Sequence, residues 1–350
     1  MAEQKHSEAP RRRRSQQGPT VSDVARLAGV SAMTVSRVVN GDSHVLDQTR
    51  QRVRDAVQAL GYVPNQAARS LAGGQQCRIA LLHSNPSAAY LSEFLVGALD
   101  EAGPSNAQLV VERCSDDEPA ASLAERLRRD RIDACLLPPP LCDNAELLAA
   151  LVKGGLAVAQ VATGVPSAQA CAVSINDEAA AHAMTARLLG LGHRRIGFVA
   201  GNSNQTASRL RRQGYDRALA EAGLAPDADL IEQGDFTYRS GLAAATRLLS
   251  RQDRPTAIFA SNDDMAAACM AIAHRQGLSV PGDLSICGFD DTAMATTVWP
   301  ELTTIRQPVA EMARRAVRLL VDARRKGSNG LSHEQLDFEL VPRASDGTAA

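Results

Sequence analysis

From residue 77 to near the end of the chain, short apolar runs alternate with longer segments whose apolar residues recur at helical spacing. A short run that is mostly apolar predicts a strand buried on both faces, which is typical of parallel sheets covered by helices. The runs that predict strands are 78–82, 109–112, 134–137, 157–161, 172–175, 195–200, 257–260 and 284–289. The segments that predict helices include 179–191, 209–222, 265–276 and 309–325. The alternation therefore predicts an α/β fold with helices on both faces of parallel sheets.

The composition is that of a soluble globular protein. Of the 350 residues, 45% are hydrophobic and 22% are charged. No run approaches the roughly 18–20 uncharged apolar residues that a membrane span needs. Residues 1–19 carry charges with no apolar segment after them, which predicts neither a secretory nor an export signal. We therefore expect a cytoplasmic protein with no membrane partner.

The sequence contains no motif typical of a metal site or of catalysis. Its seven cysteines are scattered, with no CxxC pair and no metal-ligand spacing to histidine, which predicts reduced, buried thiols. There is no Gly-rich phosphate loop and no nucleophile elbow. The adjacent carboxylates Asp263-Asp264 and Asp290-Asp291 do not by themselves indicate paired-carboxylate catalysis. We expect no metal, no cofactor and no enzymatic activity.

Charge is distributed unevenly along the chain. Residues 1–74 carry 11 Lys and Arg against 6 Asp and Glu, whereas the remaining residues carry 27 against 33. A basic N-terminal part attached to a mildly acidic body predicts a polyanion partner for the first part alone. A basic tail would explain the four arginines at 11–14 but not the pattern that follows them.

Two short helices joined by a tight turn are predicted between residues 20 and 41. Thr20 can cap the first helix, and Gly29 supplies the break at its end. Ser31 can cap the second helix, which carries valines on one side and ends at the Asn-Gly pair 40–41. A third helix, 47–60, completes a small apolar core. These elements predict a helix-turn-helix.

The segment TVSDVARLAGVSAMTVSRVVNG, residues 20–41, resembles the DNA-binding motif of the lac-repressor (LacI/GalR) family of bacterial transcriptional regulators. The resemblance implies a helix-turn-helix DNA-binding domain over 20–64, preceded by a basic tail over 1–19. Ala32, Met33 and Arg37 occupy the positions from which the family reads bases, and Arg37 can contact guanine in a bidentate manner. The remaining contacts expected at the DNA, mostly short polar groups suited to phosphates, are Thr20, Ser31, Thr34, Ser36 and Asn40. His44 is either a phosphate contact or an ordinary surface histidine.

Residues 65–74 resemble the hinge helix of the same family, and contacts to DNA are expected there from Asn65, Ala68 and Leu71. A helix this short is marginal in water, so it is expected to form only when paired with its dimer mate on the operator. The resemblance implies that Leu71 wedges into the minor groove and kinks the duplex. In the free protein the segment is expected to be a flexible linker.

The resemblance continues over the body of the chain, at segments that include NDEAAAHAMTARLLGLGHRRIGFVAG, ASRLRRQGY, ASNDDMA, VPGDLSICGFDD and PELTTIRQP. It implies an effector-binding and dimerisation core over 75–345, with two doubly wound parallel-sheet subdomains like those of periplasmic sugar-binding proteins. The N-subdomain is expected over 77–176 and 303–330, and the C-subdomain over 177–302 and 331–345. The ligand is expected in the cleft between them.

The positions that match the family's effector contacts are Tyr90, Arg211, Phe236, Asn262 and Asp290. Arg211 and Asp290, expected on opposite cleft walls, suit the hydroxyl groups of a polyhydroxylated ligand, and an aromatic ring suits its apolar face. The alternative for this pair is a structural salt bridge across the closed cleft. Gln205 and Ala207 stand where purine-binding relatives carry a hydrogen-bonding pair, so a sugar or sugar derivative is the expected effector.

These expectations combine into one function. The chain is predicted to be a homodimeric repressor that places two recognition helices on pseudo-palindromic operator DNA, with its operator affinity controlled by the effector. Induction and corepression both stay open. The alternative is a periplasmic-type solute-binding protein, which shares the architecture of the core; the helix-turn-helix and the missing signal segment argue against it.

Overall fold

The computed structural model describes residues 19–39, 45–62, 76–84, 87–115, 118–326 and 331–349. The chain divides into two compact units, Met1–Gln76 and Cys77–Ala350. In the described residues, no helix combines the length and the apolar character that a membrane span requires.

The first unit contains three helices, α1 (Val21–Ala28), α2 (Ala32–Val39) and α3 (Asp47–Leu60). Helix α1 begins with a capping box, in which the N–H of Asp23 donates to the hydroxyl of Thr20 and the N–H of Thr20 donates to the carboxylate of Asp23. The side chains that form the core between the three helices are Val24, Ala25, Ala28, Val35, Val53 and Ala56. The predicted helix-turn-helix and third helix are confirmed.

The second unit contains twelve strands and nine further helices in its described part. The strands are β1 (Cys77–His83), β2 (Ala107–Arg113), β3 (Ala134–Leu137), β4 (Ala157–Val161), β5 (Cys171–Ser174), β6 (Ile196–Ala200), β7 (Ile231–Gln233), β8 (Ala257–Ala260), β9 (Ser285–Cys287), β10 (Thr304–Arg306), β11 (His333–Gln335) and β12 (Glu339–Val341). The helices are α4 (Ala88–Ala102), α5 (Ala120–Arg129), α6 (Ala145–Lys153), α7 (Asp177–Gly190), α8 (Thr206–Glu221), α9 (Tyr238–Leu249), α10 (Asp263–Arg275), α11 (Ala293–Thr297) and α12 (Val309–Lys326).

The first sheet has the strand order β2-β1-β3-β4-β5-β11 and is parallel throughout. Alternate residues of β1 point to opposite faces. Ile79 and Leu81 belong to one apolar cluster with α4 and α12, whereas Ala80 and Leu82 belong to another with α5 and α6. Both faces are therefore covered by helices, as in a doubly wound sheet. We call this sheet with α4, α5, α6 and α12 the N-subdomain.

The second sheet has the order β7-β6-β8-β9 and is also parallel. Phe198 of β6 packs in the cluster that contains side chains of α7 and α8, and its neighbour Val199 packs in the cluster of α9 and α10. We call this sheet with α7 to α11 the C-subdomain. The predicted α/β fold with two doubly wound parallel sheets is confirmed.

The segment after α12 departs from the prediction. Residues 331–345 were expected in the C-subdomain, but β11 pairs in parallel with β5 at the edge of the first sheet. Strand β12 instead pairs antiparallel with β10, which is bridged to the end of the second sheet at Cys287 and Asp290. Strands β7, β10, β11 and β12 were not predicted, because three-residue strands with polar positions have no measurable periodicity.

Candidate functional site

Helix α2 presents the predicted base-reading residues on its exposed side. Ala32, Met33 and Arg37 are all exposed, and Met33 keeps 68% of its surface accessible. At 100° per residue these three positions fall within about 140° around the helix axis, on the side away from the buried Val35. The hydroxyl of Ser31 accepts from the N–H of Thr34 at 3.1 Å, so Ser31 caps the helix.

The turn before α2 is held by Arg52, a residue that was not predicted from the sequence. The guanidinium of Arg52, on α3, donates to the carbonyl oxygens of Ala28 and Gly29 at the end of α1. Gly29 has φ +66°, and a Cβ there would lie 2.8 Å from Nη2 of Arg52. Glycine at this position therefore admits both the left-handed backbone and the guanidinium. An arginine on α3 was the available signal, but its partner is set only by tertiary packing.

The other predicted DNA contacts divide into two groups. Thr20 is exposed and its hydroxyl belongs to the capping box of α1, while Ser36 and Thr34 are half-buried on α2. Those that lie outside the described residues are Asn40, His44, Asn65, Ala68 and Leu71. The contacts of all these residues to DNA, and the hinge over 65–74, stay predictions.

The second unit contains a cleft between residues of its two subdomains. It is lined by Ser87, Tyr90, Pro139, Ala162, Gln205, Ala207, Arg211, Phe236, Asn262, Asp290 and Gln307. The first four come from the N-subdomain, the next six from the C-subdomain, and Gln307 follows β10. All five residues predicted to contact the effector line this one cleft. Their role in binding stays a prediction.

The cleft lies at the carboxyl ends of the parallel strands. Ala162 directly follows β4, Asn262 follows β8 by two residues, and Asp290 follows β9 by three. The loops after parallel strands meet at one edge of a sheet, which is where open α/β sheets bind ligands. The fold therefore brings together side chains that are far apart in the sequence.

Arg211, on α8, is buried with its charge already compensated. Its Nε donates to Oδ1 of Asp177 at 2.8 Å, and its Nη1 donates to the carbonyl of Ser261 at 2.6 Å. The guanidinium lies 3.6 Å from the centroid of the Phe289 ring, within range of a cation–π interaction. Asp290 lies farther away, with 3.7 Å between its Oδ1 and Nη1 of Arg211.

This arrangement corrects the expectation that Arg211 and Asp290 face each other across the cleft. Both residues belong to the C-subdomain, where Arg211 lies on α8 and Asp290 follows β9. The ion pair between them therefore does not bridge the two subdomains. The missed partner is Asp177, the first residue of α7, 34 positions from Arg211 in the sequence.

Burial shifts the titration of the carboxyl groups around the cleft. It raises the pKa of Asp290 to about 7, against the lowering effects of Arg211 and of the hydrogen bond from Gln307. It also raises the pKa of Asp177, again against Arg211. Burial and the neighbouring Asp290 raise the pKa of Asp263 well above its usual range.

Phe236 and Asn262 are held by each other and by the local backbone. The Oδ1 of Asn262 accepts from the N–H of Met265 and caps α10, while its Nδ2 donates to the carbonyl of Phe236 at 2.9 Å. A Cβ on Gly201 would lie 1.9 Å from Cζ of Phe236, so the ring packs directly on the glycine backbone. Asn262 thus positions the aromatic wall in addition to lining the cleft.

Two polar atoms of the cleft have no hydrogen-bond partner among the described residues. They are the hydroxyl of Tyr90 and Oε1 of Gln307, both buried. The Nε2 of Gln307 donates to Oδ1 of Asp290 at 2.5 Å, which leaves its oxygen as an acceptor. Burial raises the pKa of Tyr90 well above its usual range, so its hydroxyl stays protonated and can donate. A buried polar atom without a partner is costly, and a bound ligand with hydroxyl groups would satisfy both atoms.

Residues 20–65 match the family described as bacterial regulatory proteins, lacI family, and residues 185–345 match a periplasmic binding protein-like domain. The HTH-type transcriptional regulator CelR of Thermobifida fusca is 37% identical over 328 residues, which cover 89% of this chain and 92% of that protein. The chain belongs to the lacI family of bacterial regulatory proteins.

Solved structures place this lacI-family regulator among proteins of the same architecture. A CelR–cellobiose complex superposes with a TM-score of 0.73 at 33% identity, covering 93% of this chain and 99% of that one. The lac repressor dimer bound to operator and the anti-inducer ONPF gives a TM-score of 0.74 at 29% identity, covering 94% and 99%. The alternative of a periplasmic-type solute-binding protein is not favoured, because the matches extend over the helix-turn-helix.

Three residues that line the cleft of this lacI-family protein have left-handed backbone geometry. The φ angles are +60° for Ala162, +69° for Phe236 and +110° for Asp290. Such conformations are unfavourable for residues with a Cβ and are concentrated at ligand sites, where the surrounding structure holds them. At Asp290 the backbone N–H donates to the carbonyl of Ile305, and this hydrogen bond holds the carboxylate at the cleft.

Proposed function

We propose that this regulator is a repressor that binds pseudo-palindromic operator DNA as a homodimer, and that a polyhydroxylated effector, a sugar or sugar derivative, in the cleft controls its operator affinity. The observation that carries the proposal is the cleft at the strand ends, where an arginine, a carboxylate, an aromatic ring and two unmatched polar atoms converge. Hydroxyl groups both donate and accept, so a sugar can satisfy Tyr90, Gln307 and Asp290 together.

The relatives support both halves of this proposal. The related CelR is described in complex with cellobiose, and the lac repressor as a dimer bound to operator. In this chain the exposed face of α2, with Ala32, Met33 and Arg37, supplies the surface that would enter the major groove. A repressor acts where bacterial DNA lies, so we place this protein in the cytoplasm.

A structural role rather than catalysis is proposed for Asp263 and Asp291, the members of the acidic pairs that bond to other parts of the protein. Asp263 accepts hydrogen bonds from Thr304 and Thr292, and Asp291 pairs with Arg306 and Arg343. Carboxylates engaged in this way hold loops together and are poorly placed for proton transfer. We therefore propose that the protein is not an enzyme.

Removal of the DNA-binding part tests whether DNA binding and sugar binding belong to separate parts of the chain. Duplexes that bind the full chain would first be selected from a random pool of sequences. Glucose, galactose, ribose and cellobiose would then be screened for sugars that raise the melting temperature of the full chain. A fragment lacking residues 1–74 is expected to keep the sugar affinity of the full chain and to lose the selected duplex. Retained affinity for that duplex in the fragment would contradict the proposal.

A further inference from the structure

We propose that the cleft selects an uncharged polyhydroxylated ligand and rejects the phosphate esters and carboxylic acids of that ligand. The inference rests on the proposed function and adds to it the charge of the effector. It follows from the charges around the cleft, the occupancy of its helix N-termini and the unmatched polar atoms on its walls.

The part of the cleft wall that the structure describes offers no free cation to an anionic ligand. Among the eleven described residues that line it, Arg211 is the one basic side chain. Its Nε is bound to the carboxylate of Asp177 at 2.8 Å, and both side chains are at least 95% buried. An anion at the remaining N–H groups of this guanidinium would share its single positive charge with Asp177, and separating the buried ion pair would leave a charge without its partner.

The helix N-termini at the cleft, which could otherwise hold an anion, are already occupied. At α4 the hydroxyl of Ser87 accepts from the N–H of Tyr90, and at α10 the side chain of Asn262 accepts from Met265. At α8 the carboxylate of Asp143 accepts from the N–H of Thr206 at 2.7 Å.

Carboxylates also stand at two of these three helix N-termini. Asp263 and Asp264 begin α10, so its positive end faces acidic side chains of the protein itself. At α8 the carboxylate is that of Asp143, which lies between β3 and α6 and accepts from the N–H of Thr206. A ligand phosphate would meet a like charge at two of the three helix ends.

The buried charges around Arg211 sum to a negative value when the carboxylates are ionised. Asp177 and Asp290 both lie within 4 Å of its guanidinium, so two carboxylates face one cation. Like charges repel strongly where water is excluded, and a phosphate or carboxylate would add to this excess. Hydroxyl groups are uncharged and avoid this repulsion. They can also donate to Oε1 of Gln307 and accept from the hydroxyl of Tyr90, the two unmatched atoms of the cleft.

Matched ligand pairs test the inference. The full chain would be titrated calorimetrically at pH 8 with glucose, galactose, ribose and cellobiose, with the 6-phosphates of glucose and galactose, with ribose 5-phosphate and with cellobionic acid. We expect at least one neutral sugar to bind and its charged derivative to bind at least tenfold more weakly. A charged derivative that binds as tightly as its parent, or binds when its parent does not, would overturn the inference while leaving a polyhydroxylated effector in place. If neither class binds, the proposed function itself is wrong and the inference falls with it.

The isosteric substitution Asp177→Asn tests the cause of the discrimination. Asparagine keeps an oxygen for Nε of Arg211 but removes one buried negative charge, so the ratio between neutral and charged affinities should fall at least threefold. The matched control is Asp216→Asn on α8, the helix that carries Arg211, where Asp216 pairs with Arg212 at 2.8 Å in a partly exposed pair. That variant should keep the wild-type ratio within twofold. If the ratio between neutral and charged affinities is equal in all three proteins, Asp177 does not cause the discrimination. If Asp177→Asn does not fold, the titration of the wild type decides the inference by itself.

Discussion

Asp143 of the N-subdomain and Thr206 of the C-subdomain are joined by hydrogen bonds beside the cleft. The carboxylate of Asp143 accepts from the backbone N–H of Thr206 at 2.7 Å and from its hydroxyl at 2.9 Å. The same hydroxyl oxygen accepts from the N–H of Gly164, and Asp143 also accepts from the hydroxyl of Thr163. Gln205 and Ala207, on either side of Thr206, line the cleft. This contact therefore links the N-terminus of α8 to the opposite cleft wall.

Replacing Asp143 by alanine should loosen this link. The N–H and hydroxyl of Thr206 would lose their acceptor, which should lower the free energy of unfolding by about 1–3 kcal/mol. Hydrogen exchange at the first amides of α8 should become faster, and Asp216→Ala on the same helix should leave those amides unchanged. Unaltered exchange in the Asp143 variant would show that the contact does not hold the helix end.

Replacing Asp290 by asparagine should separate its role in binding from its role in stability. The change removes the charge of an acceptor, so sugar affinity should fall by the roughly 1.5–3 kcal/mol of a charge-assisted hydrogen bond. Arg211 keeps Asp177 as its partner, so no unpaired buried arginine results. Calorimetric titration and thermal unfolding of the same variant check both points. Unchanged sugar affinity with a lower melting temperature would mean that Asp290 is structural.

The raised pKa of Asp290 also predicts how stability depends on pH. The folded state holds the proton up to about pH 7, whereas the unfolded chain releases it near the ordinary value of 3.8. The folded state therefore binds more protons between these values, and the contribution of this residue is present at low pH and lost as pH rises towards 7.

The Asp290→Asn variant lacks this titration and provides the comparison. The free energy of unfolding of the variant minus that of the wild type should increase from pH 5 to pH 8, because only the wild type loses stability through this residue. Urea unfolding of both proteins at each pH measures this difference. A difference that stays constant over this range would contradict the raised pKa.

Gly201→Ala should displace the aromatic wall of the cleft. The new Cβ would overlap the ring of Phe236, which should destabilise the protein by about 1–3 kcal/mol and weaken sugar binding. The control is Gly190→Ala at the end of α7, where no atom lies within 4 Å of the position that the new Cβ would take and no loss is expected. DNA affinity without sugar should be unchanged in both variants. Wild-type sugar affinity in Gly201→Ala would show that the Phe236 ring does not contact the sugar.

Arg37 is expected to read one base. Arg37→Ala should cost about 1–3 kcal/mol at one operator position and relax the base preference there. Arg37→Lys keeps the charge but loses the bidentate geometry, so it should relax the same preference with less loss of overall affinity. Affinities for a set of single-base operator variants check this. A loss of equal size on every duplex would make Arg37 a phosphate contact instead.

The sequence was most informative where one local pattern determines the structure. Strands β3 and β8 are apolar along their whole length and β4 has one polar residue, Gln160; the predicted bounds of all three are those of the structure. The capping box of α1 was only partly expected, because Asp23 replaces the usual Glu or Gln, yet its carboxylate reaches the N–H of Thr20. Strand β11 could not be predicted, because its polar residues join the first sheet only through β5.

The cleft was predictable only through the family resemblance. It led to five residues that line the cleft together but not to the partners that fix their chemistry. Asp177 lies 34 positions from Arg211, and Gln307 lies 17 positions from Asp290. Such pairs depend on how strands and helices pack, which no local pattern records.

Sugar in the cleft and operator DNA on the DNA-binding unit are expected to change each other's affinity. The direct measurement is the affinity of the full chain for a selected operator duplex, by fluorescence anisotropy, without sugar and with a saturating neutral sugar. The companion titration determines the sugar affinity with and without the duplex. We predict a change of about 5–150-fold in operator affinity, and the same factor in sugar affinity, because coupling between two binding sites is reciprocal. Operator affinity that is identical with and without a sugar known to bind the cleft would contradict the account.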